Sequence, residues 1–161
     1  MLLVSSSNPW HRELELQRER VWAYYHQVID KDYAGSDRPI DQLERALVQS
    51  CVAMERVLSP GKPPTQAWQR SFILDAYQIE ETRENALSPP TLSSQLKSGI
   101  RHEIRVVDLI RKIVDMSGLV VVSDDPVMPN GMLLPGHQNG ETEYLLLSID
   151  DFMDLTSGIA E

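Results

Sequence analysis

The densest group of chemically capable side chains is Asp150-Asp151-Phe152-Met153-Asp154. On a helix, aspartates spaced this way stand within one turn of each other, a donor set that can hold Mg²⁺ against a diphosphate. That chemistry also needs a large apolar helical enclosure and a second acidic motif. The chain of 161 residues is short for the first and shows no evident second. Glu81-Thr82-Arg83-Glu84 offers another acidic pair, but Glu103 and Asp108, its candidate partners, lie five apart and point to different sides of a helix. Solvated acidic helix ends explain both groups with fewer demands.

The remaining reactive types are sparse. His11 with Glu15 and His26 with Asp30 stand one helical turn apart, a spacing more often found in exposed hydrogen-bonded couples than in metal sites. His102 has no adjacent nucleophile, and His137 stands alone. Cys51 shares an apolar stripe with Leu47 and Met54, so an inert buried thiol is expected. No phosphate-cradling glycine loop, zinc spacing or nucleophile elbow occurs. No catalytic residue, metal site or cofactor is expected from these patterns.

Two groups stand out as binding candidates. Lys97, Arg101 and Arg105 recur every four residues, which on a helix forms a basic stripe. Asp150, Asp151, Phe152, Asp154 and Leu155 form an acidic-hydrophobic run of the kind that binds a partner groove as a short helix, or else packs on its own core. The two could meet in one molecule. Removing residues 150–161 is then expected to leave the rest folded and to uncover the basic stripe.

The elements that must carry these residues follow from periodicity. Asn8-Pro9 opens a helix to about Lys31, with Trp10, Leu14, Val21, Tyr25, Val28 and Ile29 at helical spacing. Pro39 opens a second, with Ile40, Leu43, Leu47, Cys51, Met54 and Leu58. A third is expected from about Thr65 to Leu87, on Trp68, Phe72, Ile73, Ala76 and Ile79. A fourth is expected from about Thr91 to Ser117, on Leu92, Leu96, Ile100, Ile104, Val107 and Ile110, with Gly118 as its left-handed cap. Leu119–Val122, Met132–Leu134 and Tyr144–Ile149 read as strands, with Asn130-Gly131 and Asn139-Gly140 as hairpin turns. One or two helical turns close the chain.

The expected fold is α+β and mainly α: an antiparallel four-helix bundle over residues 1–118, then an acidic β-hairpin or three-stranded sheet with a short helix over 119–161, packed on helix four as one structural domain. The expected core includes Trp10, Leu14, Val21, Leu43, Leu47, Met54, Trp68, Phe72, Ile100, Ile104 and Val107.

Composition narrows the function classes. Net charge is −9, and residues 119–161 hold eight acids and no Lys or Arg, while all fifteen Lys and Arg lie before Gly118. This repels nucleic acid and anionic membranes at long range. The first nine residues are too weakly apolar for a secretory leader, no run approaches a membrane span, and a lone cysteine excludes an internal disulfide. A cytoplasmic or otherwise intracellular location is expected. The leading reading is a non-catalytic protein-binding or regulatory domain (adaptor, inhibitor or immunity protein, dedicated chaperone), with another protein as partner, a basic one among the candidates. A wide apolar arc on helix one, with Trp22 and Tyr24 on either side of Tyr25, adds the expectation of a homodimer through that helix. A winged-helix-like nucleic-acid-binding regulator and an enzyme of unrecognised type are the alternatives. The absence of cations from the would-be wing counts against the first of these.

Overall fold

The chain starts its first helix, α1 (Pro9–Ile29), at a proline, whose missing N–H costs nothing in the first turn. Leu14, Gln17, Val21 and Tyr25 form its buried side. A second proline opens α2 (Pro39–Leu58), where Leu43, Ala46, Leu47, Ser50, Cys51, Ala53 and Met54 are buried. The Arg56 guanidinium stands 5.6 Å from the centre of the Trp10 ring, so the end of α2 lies beside the start of α1 and the two helices run antiparallel. These are observations from a computed structural model, which describes residues 9–30, 38–58, 70–79, 100–116, 118–122, 130–138 and 141–160.

Beyond α2 the architecture departs from a bundle. Residues expected in helix three form β1 (Ser71–Ile79), and helix four is divided into β2 (Ile100–Arg105) and α3 (Val106–Asp115). Then follow β3 (Val120–Val122), β4 (Gly131–Gln138), β5 (Glu141–Leu147) and α4 (Ile149–Ala160). The five strands form one antiparallel sheet in the order β2-β1-β5-β4-β3. Among the described residues the fold is thus α+β, with four helices and a five-stranded sheet in place of a four-helix bundle and a three-stranded sheet. Trp68 and Lys97 lie outside the described residues.

Period-two alternation explains the sheet. Phe72, Leu74 and Ala76 in β1, Ile104 in β2, Met132 and Leu134 in β4, and Leu145 and Leu147 in β5 face the helices and join Leu14, Leu47, Met54, Ile110 and Ile113 in one core. Their register agrees: Phe72 pairs with Ile104, Ala76 with Leu145, and Met132 with Leu147. Val122, Leu133, Tyr144 and Leu146 occupy the other face and are buried too. Burial on both faces is why the sequence of the central strands is a continuous apolar run rather than an alternation. Ile73, expected on a buried helix face, alternates outward and is 64 % exposed.

Two glycines mark sharp constraints. Gly118 has φ of +120°, as expected of a left-handed position, but α3 has already ended at Asp115. Gly131 is no hairpin tip. It is the first residue of β4, paired with Val122, and a Cβ there would lie 2.9 Å from Leu146 Cδ1 and 3.0 Å from the Leu147 carbonyl oxygen. Only glycine lets the two strands approach this closely.

Candidate functional site

The C-terminal acidic run is helical for three turns and starts on a built cap. Ser148 Oγ accepts a hydrogen bond from the Asp151 backbone N–H at 3.0 Å, and Phe152 N–H reaches the Ser148 carbonyl at 3.1 Å. Asp150 and Asp151 therefore occupy the first turn of α4, where negative charge complements the unpaired N–H groups. Phe152 and Leu155 point into the core and are fully or almost fully buried, while Asp150 and Asp154 are exposed and Asp151 is half-buried.

α4 is held along α1. Arg18 donates from Nε to Thr156 Oγ1 at 2.7 Å and from Nη2 to the Met153 carbonyl at 3.2 Å. The Thr156 hydroxyl in turn has the Phe152 carbonyl at 2.9 Å. Near the other end, Asp150 lies close enough to Tyr25 for its charge to raise the phenol's pKa, after the larger effect of burial. Residues 18 and 25 thus meet 156 and 150, so α4 runs antiparallel to α1. The positioning role of Arg18 carries no sequence signal, since nothing in its spacing distinguishes it from the other arginines of α1.

Trp22 stands one turn beyond Arg18, on the side of α1 that carries α4. It is 44 % exposed, with its ring edge-on to His26 at 4.4 Å between centroids. His26 also meets Tyr25 at 5.6 Å, and its Nε2 is buried without a hydrogen-bond partner among the described residues. Nearby on α1, Glu15 and Glu19 are exposed. The seam therefore combines an accessible indole with exposed carboxylates from both helices.

The expected basic stripe takes a different form. Arg101 and Arg105 lie on strand β2, not a helix, and strand alternation assigns position 103, a glutamate, to the same face as positions 101 and 105. Arg105 closes the strand in an extended conformation and donates to Asp108 Oδ2 at 3.1 Å. Across the sheet Arg101 pairs in register with Asp75 and Glu103 with Ile73. α4 rests beside α1 and α2, and the ion pair that Arg105 forms is with Asp108, not with an acid of α4. Glu81 and Glu84 fall outside the described residues. His102 sits in β2 opposite Leu74, and His137 in β4 opposite Thr142. Among the described residues no three His, Cys, Asp or Glu side chains are grouped as metal ligands. No described helix is long and apolar enough to cross a membrane.

Cys51 is fully buried, and burial raises its thiol far above the ordinary 9.0, with the charge of Glu55 adding to the rise. Burial also raises Tyr25 and Tyr144. In each case the fold holds the protonated form and the unfolded chain ionises first. The contribution of Cys51 is complete below about pH 9 and is lost as pH rises above it, with a slope of about 1.4 kcal/mol per pH unit. Cys51→Ala removes that slope. Its urea midpoint is expected to fall less steeply than that of the wild type from about pH 8.5 to 9.5, the remaining slope coming from Tyr25 and Tyr144. Parallel declines would contradict the assignment.

The fold and seam define an α+β domain with helices over one face of an antiparallel sheet and an acidic, aromatic edge between its first and last helices. Comparison finds no matching family model, no similar curated protein and no similar solved structure.

Proposed function

We propose that the protein is a non-catalytic interaction or regulatory domain that presents its α1–α4 seam to a basic segment of another protein. The observation that carries this reading is Trp22, an aromatic ring left 44 % exposed one helical turn from Arg18, the residue that fastens α4 and its exposed Asp150 and Asp154 to α1. An indole face attracts Lys or Arg by about 0.5–1 kcal/mol at an exposed site. Exposed ion pairs add only ~0–1 kcal/mol each. Such a surface therefore orients and selects a cationic partner more than it grips one. Residues 119–161 contain no Lys or Arg of their own, and Arg18, the cation fastened to α4, is bonded to the Thr156 hydroxyl and the Met153 carbonyl. An intracellular setting belongs to the same reading, since the lone cysteine is a free, buried thiol.

The test is affinity purification from the native host with the wild type, Trp22→Ala, and an Asp150→Lys, Asp154→Lys double variant. A basic protein should accompany the wild type, elute early in a salt gradient, and fall at least severalfold with either variant. Undiminished recovery with both variants would remove the seam as the docking surface.

A further inference from the structure

We propose that α1 also pairs, antiparallel, with α1 of a second copy of the chain, along the stripe Arg12, Leu16, Glu19, Ala23, His26 and Asp30. The spacings are alternately four and three, the repeat that keeps one line of a helix facing a partner helix. This line lies opposite the buried side formed by Leu14, Gln17, Val21 and Tyr25. Arg12, Leu16, Glu19, Ala23 and Asp30 are all exposed, Leu16 to 41 %. Asp30 belongs to the line because its N–H still bonds to the His26 carbonyl at 2.9 Å, continuing the helical turn.

Charge chooses both the occupant and its direction. Arg12 and Asp30 stand five helical turns apart and share one side of α1, and neither forms an ion pair with another described residue. A two-fold axis near residue 21 opposes Arg12 of each copy to Asp30 of the other, Leu16 to His26, and Glu19 to the small side chain of Ala23. A parallel pair would instead stack Arg12 on Arg12, Glu19 on Glu19 and Asp30 on Asp30. The stripe is thus complementary to itself in one orientation only, as a closed two-fold interface requires. Trp22 flanks the stripe on one side, so the two docking seams open on the same side of the pair. The cost is an Arg20–Arg20 approach on the other flank, beside Glu19 of each chain. One helix pair lies at the small end of specific interfaces, and the dissociation constant should be on the order of tens of micromolar.

This inference does not rest on the docking reading, because the tests read different residues. Light scattering or sedimentation of the full chain should show its mass rising from monomer towards dimer between about 5 and 300 µM. Arg12→Glu and Asp30→Arg should each remain monomeric over that range, with unchanged circular dichroism because both positions are exposed. An equimolar mixture of the two should dimerise again. In the mixed pair the two reversed charges face each other at one end, and the unaltered Arg12 and Asp30 face each other at the other. A wild type that stays monomeric, single variants that dimerise like it, or a mixture that stays monomeric would each overturn the proposal.

Discussion

Leu47→Ala and Ile104→Ala are each expected to lower the unfolding free energy by ~2–5 kcal/mol. Leu47 is fully buried at the centre of α2, and Ile104 is almost so, opposite Phe72 in the sheet. Each substitution removes three methyl or methylene groups from a site closed on all sides, where neighbours relax only partly into the gap. A domain of this size has ~5–15 kcal/mol in total, so either change takes a large share. At about 2–4 °C per kcal/mol the melting midpoint should fall by roughly 5–20 °C. The pair also tests the layering, because one residue comes from the helices and one from the sheet, and both belong to the same core. Urea unfolding followed by far-ultraviolet dichroism and by tryptophan fluorescence should give coincident, lowered midpoints for both variants. A wild-type midpoint for either one would place that residue outside the core.

The same residues show why part of the fold is legible in the sequence and part is not. α1 and α2 carry apolar side chains at three-, four- and seven-residue spacings over five turns, which no strand reproduces, and each begins at a proline. β3, β4 and β5 are marked by short apolar runs between turn residues. β1 and β2 are ambiguous at the level of spacing. Ile100 and Ile104, and likewise Arg101 and Arg105, are four apart, and four residues is both one helical turn and two strand repeats. In β1 the set Phe72, Ile73, Ala76 fits a helix, while Phe72, Leu74, Ala76 fits a strand. The sheet decides, because β5 offers Leu145 and Leu146 as neighbours for Ala76 and Asp75. That decision is made by residues some seventy positions away and leaves no local trace.

For the candidate site the same ambiguity has a chemical consequence. Read as a helix, residues 97–105 make a cationic line with Glu103 turned away. As a strand, β2 brings position 103 onto that line. The acidic run is legible as a helix, and its cap residue Ser148 is a recognisable signal. What sequence could not reveal is that Phe152 and Leu155 turn inward and that Arg18, 138 residues from Thr156, fastens the helix to α1.

That anchoring reverses the expected result of removing the tail. Truncation after Ile149 is expected to unfold the protein or leave it aggregation-prone, rather than to leave a folded core with an uncovered basic face. Phe152 and Leu155 are buried almost completely, and losing each costs ~1.5–3 kcal/mol of transfer free energy. The apolar surface of α1 and α2 that they cover is exposed as well, and Arg18 loses both of its α4 partners. The sum is of the same order as the whole stability of a domain. Lost cooperativity in thermal unfolding, with increased binding of an apolar dye, is the expected readout. A truncated chain that melts cooperatively at the wild-type temperature would show that α4 is dispensable. Charge is separated from packing by an Asp150→Asn, Asp154→Asn variant, which keeps Phe152 and Leu155 in place. Because α4 rests on α1 and α2 while Arg105 is already paired with Asp108, removing those two charges should relieve only their long-range repulsion. Heparin elution should then move no more than it does for neutralising two exposed acids outside the seam, such as Asp41 and Asp115. A markedly larger increase in retention would mean that the acids of α4 do screen a cationic face.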